Sequence, residues 1–237
     1  MKILKNWDNK TWLSSTSYIN SFNTFLLKKK KKLNKNSKIL DIGCGRGKIF
    51  GSLSRKLKLI NKPIGIDPVV YKDVDKLIDF KNEDIFKFFD TSKNKFDLIM
   101  IKQTIHFFNE NKRNKLIKIC KNNLKNNGVL IILSLNTLKN QIPCFRLMKY
   151  KLNKSLQRDA KMIKSICKIL KNNKIDKFRF KVSITKSKYI KMLKKRYISC
   201  LVNLNKDQIN KGIKEIKNFY PNKISFEDIL ICIRYKK

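Results

Sequence analysis

The sequence predicts an α/β fold: a doubly wound sheet of seven strands, mostly parallel, with helices on both faces. Three observations predict it. Short apolar runs of strand length alternate with amphipathic stretches of helical length, as in βαβ units. The runs are hydrophobic on both faces, as expected of central parallel strands. A glycine-rich turn at residues 43–47 joins the first run to the first amphipathic stretch.

Seven segments have the composition of strands. They are residues 39–42, 64–67, 77–80, 96–101, 129–135, 178–184 and 229–235. The run VLIILSL is the most apolar of them, which predicts a place at the centre of the sheet. The last segment is predicted to be the antiparallel C-terminal strand, at or near an edge.

Apolar residues at helical spacing predict the helices. Such spacing covers 48–59, 116–124, 186–201 and 206–219. Residues 1–37 are a predicted helical leader, in which Trp12 precedes a helix that begins near Tyr18. Residues 137–177 form a long basic helical stretch that interrupts the alternation, and we interpret it as a lid insert. The leader, a core at 38–136, the lid and a C-terminal part at 178–237 then make up a single domain.

Composition excludes a wholly disordered protein and argues against a nucleic-acid partner. The chain has 237 residues, 42% of them hydrophobic, which excludes a wholly disordered basic tail. Its 57 Lys and Arg against 17 Asp and Glu give a formal net charge of +40. However, 49 of the basic residues are Lys and 8 are Arg, whereas Arg is the residue that pairs bidentately with phosphate. We attribute the charge mainly to A/T-rich codons, so that a nucleic-acid partner is possible but not favoured.

The sequence gives no sign of a membrane span, a metal site or a secretion signal. Its longest apolar stretches run about eight residues, against about twenty for a spanning helix. The six cysteines lack C-x-x-C spacing and His106 is the single histidine, so no metal is expected. Because the start of the chain is polar, we expect no signal peptide and a cytoplasmic protein with reduced cysteines.

Residues 41–47 read D-x-G-x-G-x-G between a predicted strand and a predicted helix. Gly43, Gly45 and Gly47 permit a tight turn with positive φ and a close approach of ligand to backbone. The start of the helix adds free N–H groups and a positive dipole end. Dinucleotide sites use G-x-G-x-x-G, so the shorter spacing argues against a pyrophosphate. Asp41 favours a cationic or amino-bearing ligand instead.

Two further acids follow the next predicted strands. Asp67 lies 20 residues past Gly47, where a carboxylate can accept both hydroxyls of a ribose. Asp84 is placed to bind the exocyclic amine of an adenine, with Ile85 against the ring, or else to cap a helix. Together these residues predict an adenosine ligand that lacks a diphosphate and carries a positive or zwitterionic tail.

These segments resemble the successive motifs of class I S-adenosylmethionine-dependent methyltransferases. The resemblance covers about residues 36–136 and rests on ILDIGCGRGKIF, GIDP, EDI, FDLIMIKQTIHFF and LKNNGVLIILSL. It implies a Rossmann-like fold, S-adenosylmethionine as cofactor and methyl transfer from it. The cofactor-binding residues that it implies are Asp41, Gly43, Cys44, Gly45, Gly47, Asp67, Pro68, Asp84, Ile85 and Lys102.

The chain departs from the commonest form of that family in two places. Asn126-Asn127-Gly128 stands where Pro-Gly-Gly is usual, and Lys102 stands where many relatives have a small polar residue. The second half is more weakly similar to ubiquinone-pathway and trans-aconitate-type methyltransferases. These also have a helical insert after the fifth strand and an Arg-x-x-Ser-x-Leu-like stretch, here at 196–201. That similarity favours a small-molecule acceptor.

Three residues are candidates for the acceptor side. His106, just after the fourth strand, is a candidate general base, a pocket-lining residue or a packed structural one. Arg146 and Arg196 are candidates for binding a substrate carboxylate, or they are surface charges. Two alternatives to a small-molecule methyltransferase stay open: an RNA- or ribosome-directed methyltransferase, and a cofactor-binding protein without turnover.

Overall fold

A seven-stranded sheet forms the centre of the computed structural model, which describes residues 11–29 and 33–237. The strands are β1 (Ile39–Ile42), β2 (Ile64–Ile66), β3 (Asp79–Lys81), β4 (Phe96–Lys102), β5 (Leu124–Leu135), β6 (Lys174–Thr185) and β7 (Lys223–Lys236). Their order is β3-β2-β1-β4-β5-β7-β6. β7 runs antiparallel to β5 and β6, while the pairs from β3 to β5 are parallel. The predicted fold class is confirmed.

In the described part of the chain, seven α-helices connect and cover the strands. They are α1 (Thr16–Lys29), α2 (Lys48–Leu57), α3 (Ile85–Thr91), α4 (Glu110–Asn122), α5 (Arg146–Ile169), α6 (Lys186–Lys194) and α7 (Lys206–Phe219). Several begin at side chains that accept a hydrogen bond from the first turn: Asp84 for α3, Asn109 for α4, Thr185 for α6 and Asn205 for α7. Local sequence therefore sets where these helices start.

Two apolar layers enclose the sheet. One includes side chains of α1, α2, α6 and α7, with Phe22 and Phe50 fully buried. The other includes side chains of α3 and α4, with Leu116 and Ile117 fully buried. Burying both faces in this way accounts for the continuous apolar runs of the central strands.

Helix α5 belongs to both layers. Leu152 and Leu156 of its first half pack in the layer that contains α1, whereas Ile163 and Ile166 of its second half pack in the layer that contains α4. The helix therefore passes from one face of the sheet to the other. The middle turns of α5 therefore cross the edge of the sheet.

Four strands differ from their predicted bounds by two residues or more. β5 begins at Leu124, β6 at Lys174 and β7 at Lys223, which is five, four and six residues before the predicted starts, and β3 is shifted to Asp79–Lys81. The added residues of β5, β6 and β7 include exposed polar side chains, so they lack the continuous apolar run on which the prediction depended. β7 lies one strand from the edge, as predicted, and β6 is the edge strand on that side.

The predicted helix 186–201 is also shorter than expected. α6 ends at Lys194, and a 3-10 turn covers Ser199–Leu201. Arg196 between them has a φ of +51°, outside the right-handed helical region, so a continuous helix cannot pass through it. In the predicted leader, residues 1–10 and 30–32 lie outside the described residues.

Candidate active site

A cavity of about 1600 Å³ opens at the carboxyl ends of β1, β2 and β4. This is the edge at which ligands bind in open parallel sheets. Its lining includes the turn after β1, the segment Trp12–Ser14 and the middle of α5, residues 150–152 and 154–161. The lid segment thus lies over the cavity, as the sequence predicted. Most of the predicted cofactor-binding residues also line it: Asp41, Gly43, Cys44, Gly45, Asp67, Pro68, Asp84, Ile85 and Lys102.

The three glycines of the turn have different surroundings although all have positive φ, between +54° and +75°. A Cβ built on Gly43 would lie 2.1 Å from Oγ1 of Thr104, and one on Gly47 would lie 2.7 Å from Cγ1 of Ile78. A Cβ on Gly45 would have no atom within 4 Å. Gly47, predicted to bind the cofactor, does not border the cavity and serves packing instead. Gly45 leaves open space at the cavity wall.

Asp67 connects the end of β2 to the glycine turn. Its Oδ2 accepts a hydrogen bond from the Gly45 N–H at 2.9 Å, and its Oδ1 accepts one from the Val69 N–H at 2.9 Å. The carboxylate is therefore held in a fixed orientation at the cavity wall. Since a carboxylate has about four lone-pair sites, it can still accept hydrogen bonds from ligand hydroxyls.

Asp41 is a buried carboxyl at the end of β1, 3% exposed. Burial raises its pKa to about 7; the nearby charge of Asp67 adds to this, and that of Lys102 opposes it. Within the described residues its Oδ1 has no hydrogen-bond partner. A buried carboxyl oxygen without a donor suits a ligand that brings one, such as an amino group.

Asp84 and Ile85 border the cavity from the start of α3. Asp84 Oδ1 accepts a hydrogen bond from the Phe86 N–H at 2.8 Å, so the residue is the N-cap that the sequence left open as an alternative. Ile85 is 4% exposed and packs into the core with Phe88. Capping fixes the position of Asp84 at the cavity wall but does not use all of its oxygen lone pairs.

Asp228 is a cavity-lining residue that the sequence prediction missed. It lies on β7, is 2% exposed, and its Oδ2 accepts a hydrogen bond from the Trp12 indole N–H at 2.8 Å. Burial raises the pKa of Asp228, and the Trp12 hydrogen bond and the charge of Lys102 oppose that rise. Its signal in the sequence was an acid beside an apolar run, but the predicted strand began one residue too late to include it.

Lys102 ends β4 beneath the leader helix. Its Nζ lies 5.4 Å from the ring centroid of Tyr18 and 5.6 Å from that of Phe22, and it donates a hydrogen bond to Gln103 Oε1 at 3.1 Å. Its charge acts on both Asp41 and Asp228. Lys102 therefore links the turn after β1 electrostatically to β7.

His106 lines the cavity from the β4 side, in a short 3-10 helix at Ile105–Phe107. Burial lowers its pKa; Asp159 of α5 opposes this and Arg158 adds to it. The predicted pocket-lining position is thus found, with charged residues of the lid helix nearby. Whether His106 acts as a base stays a prediction.

The two arginines predicted to bind a substrate carboxylate do not border the cavity. The Arg196 guanidinium donates to the Leu204 carbonyl at 2.9 and 3.2 Å and so closes the loop after α6. Arg146 is exposed at the start of α5, where its backbone N–H donates to Glu215. The geometry does not support a role for either residue as a ligand of a substrate in this cavity.

Within residues 11–29 and 33–237 no group of three or more His, Cys, Asp or Glu is placed to hold a metal ion. No helix in these ranges is long and apolar enough to cross a membrane. All six cysteines are free thiols.

Comparison with known proteins agrees with this geometry. Residues 58–153 match the family model of the CheR methyltransferase SAM-binding domain. No curated protein matches the chain by sequence.

Solved structures similar to the chain share its fold at low sequence identity. A protein of Anabaena variabilis described as a methyltransferase from an antibiotic biosynthesis pathway has a TM-score of 0.60 at 15% identity, over 89% of this chain and 95% of its own. The plantazolicin methyltransferase, in complex with a pentazolic desmethyl analogue and S-adenosylhomocysteine, has a TM-score of 0.54 at 17% identity, over 98% and 88%. Precorrin-6y C5,15-methyltransferase from Geobacter metallireducens has 0.52 at 12%, over 100% and 92%.

Proposed function

Since the chain is a class I S-adenosylmethionine-dependent methyltransferase, we propose that it methylates a small molecule. The proposal rests on the two chain segments that line the cavity in addition to the glycine turn. Helix α5 and the segment Trp12–Ser14 line the same cavity as the glycine turn, so an acceptor has to enter a space that these segments border. The names of the plantazolicin and precorrin-6y enzymes, which refer to small natural products, are consistent with this.

The residues around the glycine turn fit the cofactor. Gly45 leaves room for a ligand against the backbone, and the unpartnered oxygen of Asp41 suits the amino group of the cofactor. Asp67 is oriented to accept the ribose hydroxyls, and Asp84 and Ile85 border the place for the adenine. When bound, S-adenosylmethionine supplies a methyl group already activated by a sulfonium.

The protein itself then has to align the acceptor and exclude water. Helix α5 contributes both halves of its length to the core, so its middle turns are held over the cavity at two ends. His106 lies under it, close enough for the charges of Arg158 and Asp159 to act on its pKa. We assign α5 the role of the wall that closes the acceptor side. The free thiols fit a reducing compartment, and we propose the cytoplasm.

Two glycine variants test the cofactor site. Both introduce similar backbone strain, so a difference between them in ligand affinity reports on the cavity. Alanine at Gly45 or at Gly47 costs about 1–2 kcal/mol of stability because both positions have positive φ. Gly45→Ala adds its methyl group to open space in the cavity and should lower the affinity for S-adenosylhomocysteine by about tenfold or more, equivalent to about 1.4 kcal/mol. Gly47→Ala meets Ile78 and should lose more stability while the folded protein keeps most of its affinity.

Isothermal calorimetry and thermal unfolding measure the two quantities separately. NAD and ATP are the control ligands and should bind far more weakly than S-adenosylhomocysteine in wild type. Unchanged affinity in Gly45→Ala, or NAD binding as tight as S-adenosylhomocysteine, would contradict the proposed cofactor site.

A further inference from the structure

We propose that Asp228 and Lys102 select an acceptor with an apolar body and a hydroxyl group, and that Asp228 takes the hydroxyl proton when the oxygen is methylated. The inference rests on the proposed function and deepens it. It assigns the acceptor side of the cavity to β7 and the leader.

Asp228 lies at the edge of the sheet where methyl transfer would occur. The Asn136 N–H donates to the Ile229 carbonyl just beyond the last residue of β5, which places Asp228 past the carboxyl end of that strand. Asp228 also lies on the same face of β7 as Leu230, whose side chain is in the layer that contains α1. The charge of Lys102 reaches it there, as it reaches Asp41 below the glycine turn. Asp228 and Asp41 are therefore both within electrostatic reach of Lys102, and all three residues line the same cavity.

The surroundings of Asp228 are aromatic. The ring of Trp12, which donates to it, packs edge-on against Tyr197 at 5.4 Å and Phe226 at 5.1 Å between centroids. Trp12, Tyr197 and Leu135 line the cavity beside the carboxylate. An acceptor that fills this part of the cavity gains by burying apolar surface.

The two charges decide which polar group the acceptor can carry. A carboxylate here would be attracted by Lys102 but repelled by Asp228, and an ammonium would be attracted by Asp228 but repelled by Lys102. Neither charged group gains a net attraction that offsets the loss of its hydration. A hydroxyl can donate to Asp228 and accept from Lys102 at the same time. One indole N–H occupies a single lone-pair site of Asp228, so the carboxylate keeps acceptor capacity for a ligand.

In the proposed step S-adenosylmethionine would supply the methyl group, and Asp228 would accept the proton. The acceptor oxygen forms a bond to the methyl carbon, and the carbon–sulfur bond breaks with its electron pair going to sulfur. The hydroxyl proton moves to the Asp228 carboxylate and later leaves to water. The raised pKa of the buried Asp228 suits it to hold that proton.

A set of three similar probes tests this selection on full-length protein saturated with S-adenosylhomocysteine. The probes are 4-methylphenol, 4-methylbenzylamine and 4-methylbenzoate, which carry a hydroxyl, an ammonium and a carboxylate on the same apolar body. Ligand-detected NMR and calorimetry measure their affinities. In wild type the phenol should bind about tenfold tighter or better than either charged probe, because like charges oppose both of them.

Asp228→Asn removes one charge and should raise the affinity of the benzoate relative to the phenol by about tenfold, since Lys102 then acts alone. Lys102→Met should raise the affinity of the ammonium probe instead. Asp207→Asn, at the exposed start of α7 and outside the cavity lining, is the matched control and should leave the order of the probes unchanged.

A charged probe that binds best in wild type, or a preference that Asp228→Asn leaves intact, would overturn the inference, as would the absence of binding by all three probes at millimolar concentration. Wild type that fails to bind S-adenosylhomocysteine would instead contradict the proposed function. The two failures are therefore distinguishable.

Discussion

Asp41 is the residue whose protonation the fold controls most directly. Its carboxyl is buried with one oxygen lacking a donor, and burial raises its pKa to about 7. An amino group brought by a ligand would favour the ionised form. Binding of the cofactor and release of a proton from Asp41 are then coupled.

We therefore expect the affinity for S-adenosylhomocysteine to depend on pH. Below pH 7 binding has to expel the proton, so the affinity should fall by roughly tenfold for each pH unit and level off near pH 7. Calorimetry from pH 5.5 to 7.5 measures it. Asp41→Asn should bind more weakly at pH 7 and show a flat profile; a wild-type profile that is equally flat would contradict the assignment.

Without ligand, the free energy of unfolding has the opposite pH dependence: the contribution of Asp41 falls as the pH rises. The folded-state pKa of Asp41 lies above its unfolded value of 3.8, so the folded protein holds the proton more tightly. The resulting stabilisation is fully present below pH 3.8 and is lost as the pH rises through about 7. Asp41→Asn should remove this part of the pH dependence of the free energy of unfolding, measured with urea.

At the scale of elements, one hydrogen bond joins the start of the described chain to its last strand. Trp12 precedes α1 and Asp228 lies on β7, and the indole N–H to carboxylate bond at 2.8 Å is buried. The same pair borders the cavity. The leader is thereby fastened to the acceptor side of the site.

A double-mutant cycle should detect this fastening. Trp12→Phe keeps a ring but leaves the buried carboxylate without that donor, and Asp228→Leu leaves the indole N–H without its acceptor. Each should cost about 1–3 kcal/mol of stability. The double variant should cost less than the two single costs together, by about 0.5–3 kcal/mol, because both partners are then absent. Additive losses in urea unfolding would show that the bond contributes nothing.

Among the residues that border the cavity, those around the glycine turn could be predicted from the sequence, and Asp228 on β7 could not. Asp41, Gly45 and Asp67 could be predicted because strand, turn and helix follow one another along the chain, so spacing alone places them. Asp228 and Trp12 are 216 positions apart and meet only through the sheet order. No local pattern predicts such a contact.

The elements divide in the same way. β1, β2 and β4 were predicted to within one residue at each end, because their side chains form continuous apolar runs. The first residues of β5, β6 and β7 include exposed polar side chains and were left out of the prediction. The break after α6 at Arg196 depends on one residue with positive φ, which its side-chain type does not predict.

For the whole molecule, the net charge of +40 is carried mainly by Lys. Most of the few arginines form ion pairs with acidic residues of the same chain. Five of the eight form ion pairs within the chain: Arg46 with Asp73, Arg55 with Asp75, Arg158 with Asp159, Arg179 with Glu227 and Arg234 with Asp176. Guanidinium groups held in this way are less available for bidentate contacts to phosphate. The positive field at the surface then comes mainly from dispersed lysine ammonium groups.

Any RNA binding should accordingly be electrostatic and unselective. We expect two unrelated RNAs of equal length to bind with similar affinity at 50 mM salt and to be released by about 200 mM. Fluorescence anisotropy over that range measures both quantities. A complex with one RNA that persists at 200 mM while the other is lost would favour an RNA-directed methyltransferase instead.

The order of the strands also affects how the protein can be made. β6 is synthesised before β7, yet within the described residues β7 is the only strand with which it pairs. While β7 is still inside the ribosome, β6 and the aromatic side chains that α1 covers have no place in the sheet. The nascent chain can form the sheet from β3 to β5 early, as folding units do during translation. The part of the cavity that Trp12 and Asp228 line can form only after β7 has left the ribosome, because the Trp12 indole N–H then gains its hydrogen-bond acceptor.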